Sequence, residues 1–260
     1  MPLSKTDLED LKRAKALLET PGIAMRLSSL AGAPVEKGLK MLPARAQRAV
    51  HSATEKALMT ALSVAVKSLG EGTGGVSRDR MHKMAVATSG AIGGAFGLAA
   101  LSLELPISTG LILRSIADIA ASEGENPQHI STRLACLTVF ALGSPKDRSD
   151  DAAESGYFAA RAALASAVSE ATKHIAQKGI AKGGGPALVR LLSLITARFG
   201  IVVSEKAAAQ LVPVIGAAGG ALINTIFIGH YQDMARGHFI VRRLEKTHGE
   251  EPVREAYDKL

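Results

Sequence analysis

The sequence predicts an all-α protein: a single multi-helix bundle around two central glycine-rich apolar helices. Three observations carry this. Nearly half of the 260 residues are hydrophobic, yet aromatics make up only 3% and there is no Trp. The apolar mass is therefore Ala, Leu, Ile, Val and Gly, which suits closely packed helices, and the period-2 alternation of strands is scarce. Finally, two long stretches, Ala85–Leu103 and Ala207–Gly229, carry no formal charge in an otherwise charged chain.

Each element follows from local signals. Thr6-Asp7-Leu8-Glu9 has the spacing of a capping box, and Leu8, Leu11 and Leu18 form a stripe among charges. Thr20-Pro21-Gly22 ends that helix. A short apolar piece, Ile23–Ala31, follows, and Pro43 opens a longer helix through Leu69. Gly70–Gly75 is a linker: no Gly-Lys-[Ser/Thr] follows it and no strand precedes it, so it is not a phosphate-binding loop.

In the first apolar region, about residues 85–113, Ser89, Gly93 and Gly97 share an edge at four-residue spacing, the device that lets helix backbones approach closely. Pro106 is expected to kink or restart this helix. The next helix stops near Ser122–Pro127, and the polar turn Gly143–Asp151 introduces another that carries Tyr157, Arg161 and Glu170. Gly183–Pro186 is a turn. The second apolar region, about 207–229, repeats the four-residue edge with Gly216, Gly220 and Asn224. The tail, Val241–Leu260, is predicted helical with a break around Gly249 and Pro252. With neither a sequence repeat nor a domain linker, residues 1–260 read as one unit.

Composition narrows the function. A net charge of +7 suits nucleic acid, anionic lipid or acidic partners. The basic residues are dispersed and aromatics for base stacking are nearly absent, which disfavours nucleic acid. Diffuse positive charge beside apolar elements suits anionic lipid. The mean hydropathy of +0.17 lies between soluble proteins and multi-span transporters. One cysteine, Cys136, excludes an internal disulfide and a cysteine-based zinc site; its apolar neighbours predict a buried, inert thiol. The N-terminus lacks the regions of a signal peptide, so the expected location is cytoplasmic, peripheral to the membrane or inserted from the cytoplasmic side.

Four blocks resemble the EcsC family, bacterial proteins named for a member associated with an ABC transport system. They are Gly93–Ser108 with Glu104-Leu105-Pro106, Arg114–Gly124, Tyr157-Phe158-Ala159-Ala160-Arg161, and Val212–Leu244 with Asn224 and His238-Phe239-Ile240-Val241-Arg242-Arg243-Leu244. The resemblance implies a helical protein with a link to membranes or secretion. It brings no catalytic residue and no cofactor.

Candidate site residues stand out by context. Glu104 is a carboxylate inside an apolar run, costly in a core or a bilayer unless paired. It is read either as a buried acid for a ligand cation, metal or proton, or as an acceptor for backbone donors at a helix break near Pro106. Arg114 and Asp118, and likewise Tyr157 and Arg161, stand four apart and can pair on one face. His230 and Asp233 share a helical face, whereas His238 lies more than two turns from His230, too far for shared metal ligation. No metal site is predicted, and Asp233 is expected to pair with Arg236. Gly-x-Ser-x-Gly and His-Glu-x-x-His are absent, which argues against a serine hydrolase and a zincin.

The leading expectation is a non-enzymatic, membrane-associated accessory or lipid-binding protein, partnered by membrane lipid or a membrane protein complex. The alternative is an enzyme whose Glu104, Asp118, His230 and Asp233 converge on one pocket, hydrolytic or metal-dependent. A third reading is a structural homo-oligomer packed through its glycine-lined face.

Overall fold

The computed structural model describes residues 3–31, 39, 42–68, 98–143, 156–178, 185–210 and 219–260. Among them are nine α-helices and no strand: α1 (Lys5–Leu18), α2 (Ile23–Ala31), α3 (Ala44–Ser68), α4 (Leu98–Ser122), α5 (Ile130–Thr138), α6 (Gly156–Lys178), α7 (Gly185–Gln210), α8 (Gly219–His248) and α9 (Glu250–Lys259). A 3₁₀ turn, Val139–Ala141, extends α5. The predicted all-α bundle is what forms.

Local chemistry sets the start of α1 and the break before the last helix. The cap of α1 lies at Ser4, two residues earlier than the Thr6–Glu9 spacing suggests. Ser4 Oγ accepts from the Asp7 amide (3.1 Å) while the Asp7 carboxylate accepts from the Ser4 amide (2.9 Å). This register turns Leu11, Ala14 and Leu18 inward and leaves Leu8 exposed at the edge. The tail breaks at Gly249 alone; Pro252 fits within the first turn of α9, where its missing amide would have no helical partner anyway.

Helix α8 is the axis of the bundle, packed against α1, α2, α4, α7 and α9. It runs parallel to α4: Glu104 meets Asn224, Ser115 meets Gln232, and Glu123 meets Arg243. It runs antiparallel to α1, where Asp10 meets Arg243 and Asp7 meets His248. At the α1–α8 crossing, a Cβ on Gly237 would lie 2.6 Å from Leu18 Cγ and 3.0 Å from the Ala14 carbonyl, so this approach requires glycine. Helix α3 covers the other side of α4, and α6 and α7 form an antiparallel pair joined by the Glu170–Arg190 bridge.

Four of the nine aromatics, Phe140, Phe199, Phe227 and Tyr231, interlock where α7, α8 and the 3₁₀ turn meet. A second group, Tyr157, Phe158 and Tyr257, joins α6 to α9. These rings supply large buried contacts at the joints of a core otherwise rich in alanine.

The expected restart at Pro106 and the expected single helix over 207–229 are both corrected. Helix α4 continues through Pro106 without a break. Pro106 is itself buried, as are Leu101, Leu105, Ser108 and Thr109 on the same stretch, although a proline inside a helix costs about 3 kcal/mol. The region 207–229 is not one helix. Ala207–Gln210 closes α7 and Gly219–Gly229 opens α8. Lys206 and Asn224 both reach Glu104, whereas along a single helix they would stand about 27 Å apart. Ser89, Gly93, Gly97 and Gly216 lie outside the described residues.

Candidate functional site

Glu104 is buried, as its place in an apolar run predicts. Among the described residues its bonds come from side chains on two other helices. Oε1 accepts from Lys206 Nζ at 2.6 Å and from Asn224 Nδ2 at 2.8 Å. Lys206 is wholly buried, and its ammonium also lies 4.6 Å from the centre of the Phe227 ring. Burial pushes the lysine below its usual pKa, while the Glu104 charge and hydrogen bond act in the opposite sense. The site joins α4, α7 and α8 at one point, and two charges out of water hold that junction in one register.

The second half of α8 carries a denser polar system. Arg161 makes a two-point contact with Glu245, at 2.7 and 2.8 Å, and donates to the Tyr157 hydroxyl oxygen at 3.3 Å. The Tyr157 hydroxyl lies 3.0 Å from His238 Nδ1. With its oxygen accepting from Arg161, the phenol directs its hydrogen to Nδ1, which leaves the His238 proton on Nε2. Burial, then the charges of Arg161 and Arg242, hold the His238 pKa well below its usual value, and burial pushes the Tyr157 phenol up. The pair is therefore neutral, and its hydrogen bond is internal.

Beyond it, Glu125 is gripped by Arg242 (3.0 Å), Lys246 (2.8 Å) and Thr132 (3.0 Å). Burial works against its ionised form, but the bond from Lys246 and the contribution of Arg242 prevail and keep its pKa low. Arg243 bridges Asp10 and Glu123.

The remaining sequence candidates are dispersed. Arg114 is exposed and Asp118 half-buried, about 15 and 21 Å along α4 from Glu104. Asp233 pairs with Arg26 of α2 at 3.1 Å, a partner beyond its own helix, because α2 packs against α8. His230 is fully buried, neither ring nitrogen has a hydrogen-bond partner among the described residues, and burial followed by the Arg26 charge pushes its pKa down to about 3. Its ring packs beneath Gly143, a residue with φ of +68° where a Cβ would lie 2.6 Å from His230 Cε1. Glu104 thus sits at the level of Asn224, about 9 Å along α8 from His230 and about 14 Å from Asp233. The single catalytic pocket built from Glu104, Asp118, His230 and Asp233 does not exist, and among the described residues no group of three or more His, Cys, Asp or Glu is placed to hold a metal.

What the sequence did not reveal is a cleft of about 620 Å³ between the end of α1, the start of α6, the middle of α7 and the 3₁₀ turn. Tyr157 is the one sequence candidate on its wall; Glu19, Arg198, Leu194, Ile201 and Met234 also line it. Lys206, Glu245 and Arg26, the partners of the predicted residues, were missed as well.

Among the described residues, the features that stand out in this helical bundle are a buried ion-pair junction and a ligand-sized cleft. Residues 76–244 match the model of the EcsC protein family, and the chain belongs to that family. No curated protein and no solved structure matches it.

Proposed function

We propose that this protein is a membrane-associated, lipid-binding accessory protein that works at the cytoplasmic face of a membrane without catalysing a reaction. One observation carries the reading. Helix α7 has a mean hydropathy of 1.8 over a stretch long enough to cross a bilayer, yet only 39% of that stretch is buried in the bundle. A core helix of that composition is expected to be mostly covered. Val189 and Ile201 stand exposed on α7, as do Leu103 and Ile107 on α4 and Leu222 on α8. Buried Glu104 and Lys206 favour a folded bundle that docks peripherally over one whose apolar helices separate into lipid. The net charge of +7 supplies attraction to an anionic leaflet.

Cell fractionation tests this. Membranes are washed with high salt and then with alkaline carbonate, and release at either wash is expected. Protein found wholly in the soluble fraction, with no affinity for anionic vesicles, overturns the proposal.

A further inference from the structure

We propose that the cleft between α1, α6 and α7 binds one single-chain amphiphile with an anionic head, the head held by Arg198 and the chain by the apolar wall. The proposal rests on the lipid-binding part of the function above and gives it a site and a ligand class.

The cleft exists because of small side chains. Ala160 and Ala163 on α6 face Ala197 on α7 across it, where larger residues would close the gap. The resulting space, about 620 Å³, is in the range that houses small ligands. Leu142, Leu194, Ile201 and Met234 give it an apolar wall suited to an acyl chain.

Arg198 supplies the specificity. Arg26, Arg161, Arg190, Arg242 and Arg243 are each paired with a carboxylate. Arg198 lines the cleft, is half-buried, and forms no ion pair among the described residues. A guanidinium partly withdrawn from water and lacking an anion is suited to accept a carboxylate or phosphate in a two-point contact. Glu19 also lines the cleft, and its charge acts on the Tyr257 phenol, whose pKa is pushed up by burial and then by Glu19. One acid and one base on the same cleft favour a head with a single negative group directed at Arg198. Tyr157 contributes its ring, since its hydroxyl is committed to His238.

The test titrates the purified full chain with cis-parinaric acid, a fluorescent fatty acid. Saturable binding by the wild type is expected, weakened at least about tenfold by Arg198→Gln. It should be abolished by Ala163→Trp, which fills the cleft from an exposed position. Circular dichroism and melting temperature verify that both variants fold. Competition by oleate, by lysophosphatidic acid or by both supports the proposal and identifies the head group, and methyl oleate should compete poorly. Absence of saturable binding in the wild type, or equal binding by both folded variants, overturns it. Flotation on anionic vesicles separates this from membrane docking. Flotation without parinarate binding removes the cleft and leaves docking standing; binding without flotation supports the cleft and removes docking.

Discussion

Lys206→Met isolates the energetic role of the Glu104 junction. The substitution keeps the length and apolar stem of the side chain and removes the ammonium, leaving Glu104 buried with Asn224 as its remaining hydrogen-bond donor from this junction. Breaking one side of a buried ion pair costs about 3–5 kcal/mol, because the surviving charge stays out of water. Against a total stability of about 5–15 kcal/mol, that is a large fraction. In urea, at a slope of about 3 kcal/mol per molar, the midpoint should fall by more than about 1 M. Glu104→Gln should cost less, since the ammonium left behind still lies over the Phe227 ring and can shed its proton. The double variant Glu104→Gln/Lys206→Met removes both charges and should return to within about 2 kcal/mol of the wild type, because a neutral junction carries no desolvated ion. Equilibrium denaturation followed by circular dichroism reads all four proteins. A loss below about 1 kcal/mol for Lys206→Met, or a double variant no better than the worse single one, refutes the reasoning.

Other outcomes follow from the same contacts. Gly237→Ala should lose about 1–3 kcal/mol by driving α1 from α8, whereas Gly229→Ala on the same helix, with nothing within 4 Å of its added Cβ, should gain about 0.5–1 kcal/mol; thermal melts compare the two. The His230 pKa, depressed to about 3, gives stability that is fully present above the unfolded value of about 6.5 and lost as pH falls toward 3. His230→Leu should therefore lose stability less steeply between pH 6 and 4, by about 1.4 kcal/mol per pH unit, and parallel acid dependence in the two proteins would contradict this. Arg161→Met leaves Glu245 without its two-point partner and should cost about 3 kcal/mol, measured by urea denaturation.

The fold class was legible because alanine and leucine dominate and helix stops are written in Gly and Pro. Glu104 was legible as an anomaly, a lone carboxylate in an apolar run. Its partners were not, because they lie 102 and 120 residues away and pairing between distant helices leaves no local spacing. Lys206 did carry a signal: it borders the second apolar stretch as Glu104 interrupts the first, and two such charges of opposite sign invite pairing. Treating 207–229 as one helix failed because hydropathy reports how apolar a segment is and not where the chain reverses. The close approach of small residues was anticipated within the glycine-rich runs. Among the described residues it occurs at Gly237 against Ala14, where an isolated glycine among charged neighbours gave no pattern. The cleft had no sequence signature, since it arises from alanines on two helices that face one another only after folding.

Cys136 is fully buried in α5, and burial raises its thiol pKa so that the reactive thiolate is suppressed in the closed protein. As the chain's one cysteine, it makes the native protein its own clock for breathing motions. A thiol reagent can modify it only during excursions that expose α5, and its labelling rate, set against that of the unfolded chain, reports the free energy of those excursions without an engineered probe. Comparing that rate with and without vesicles would show whether contact with a membrane loosens the bundle from within.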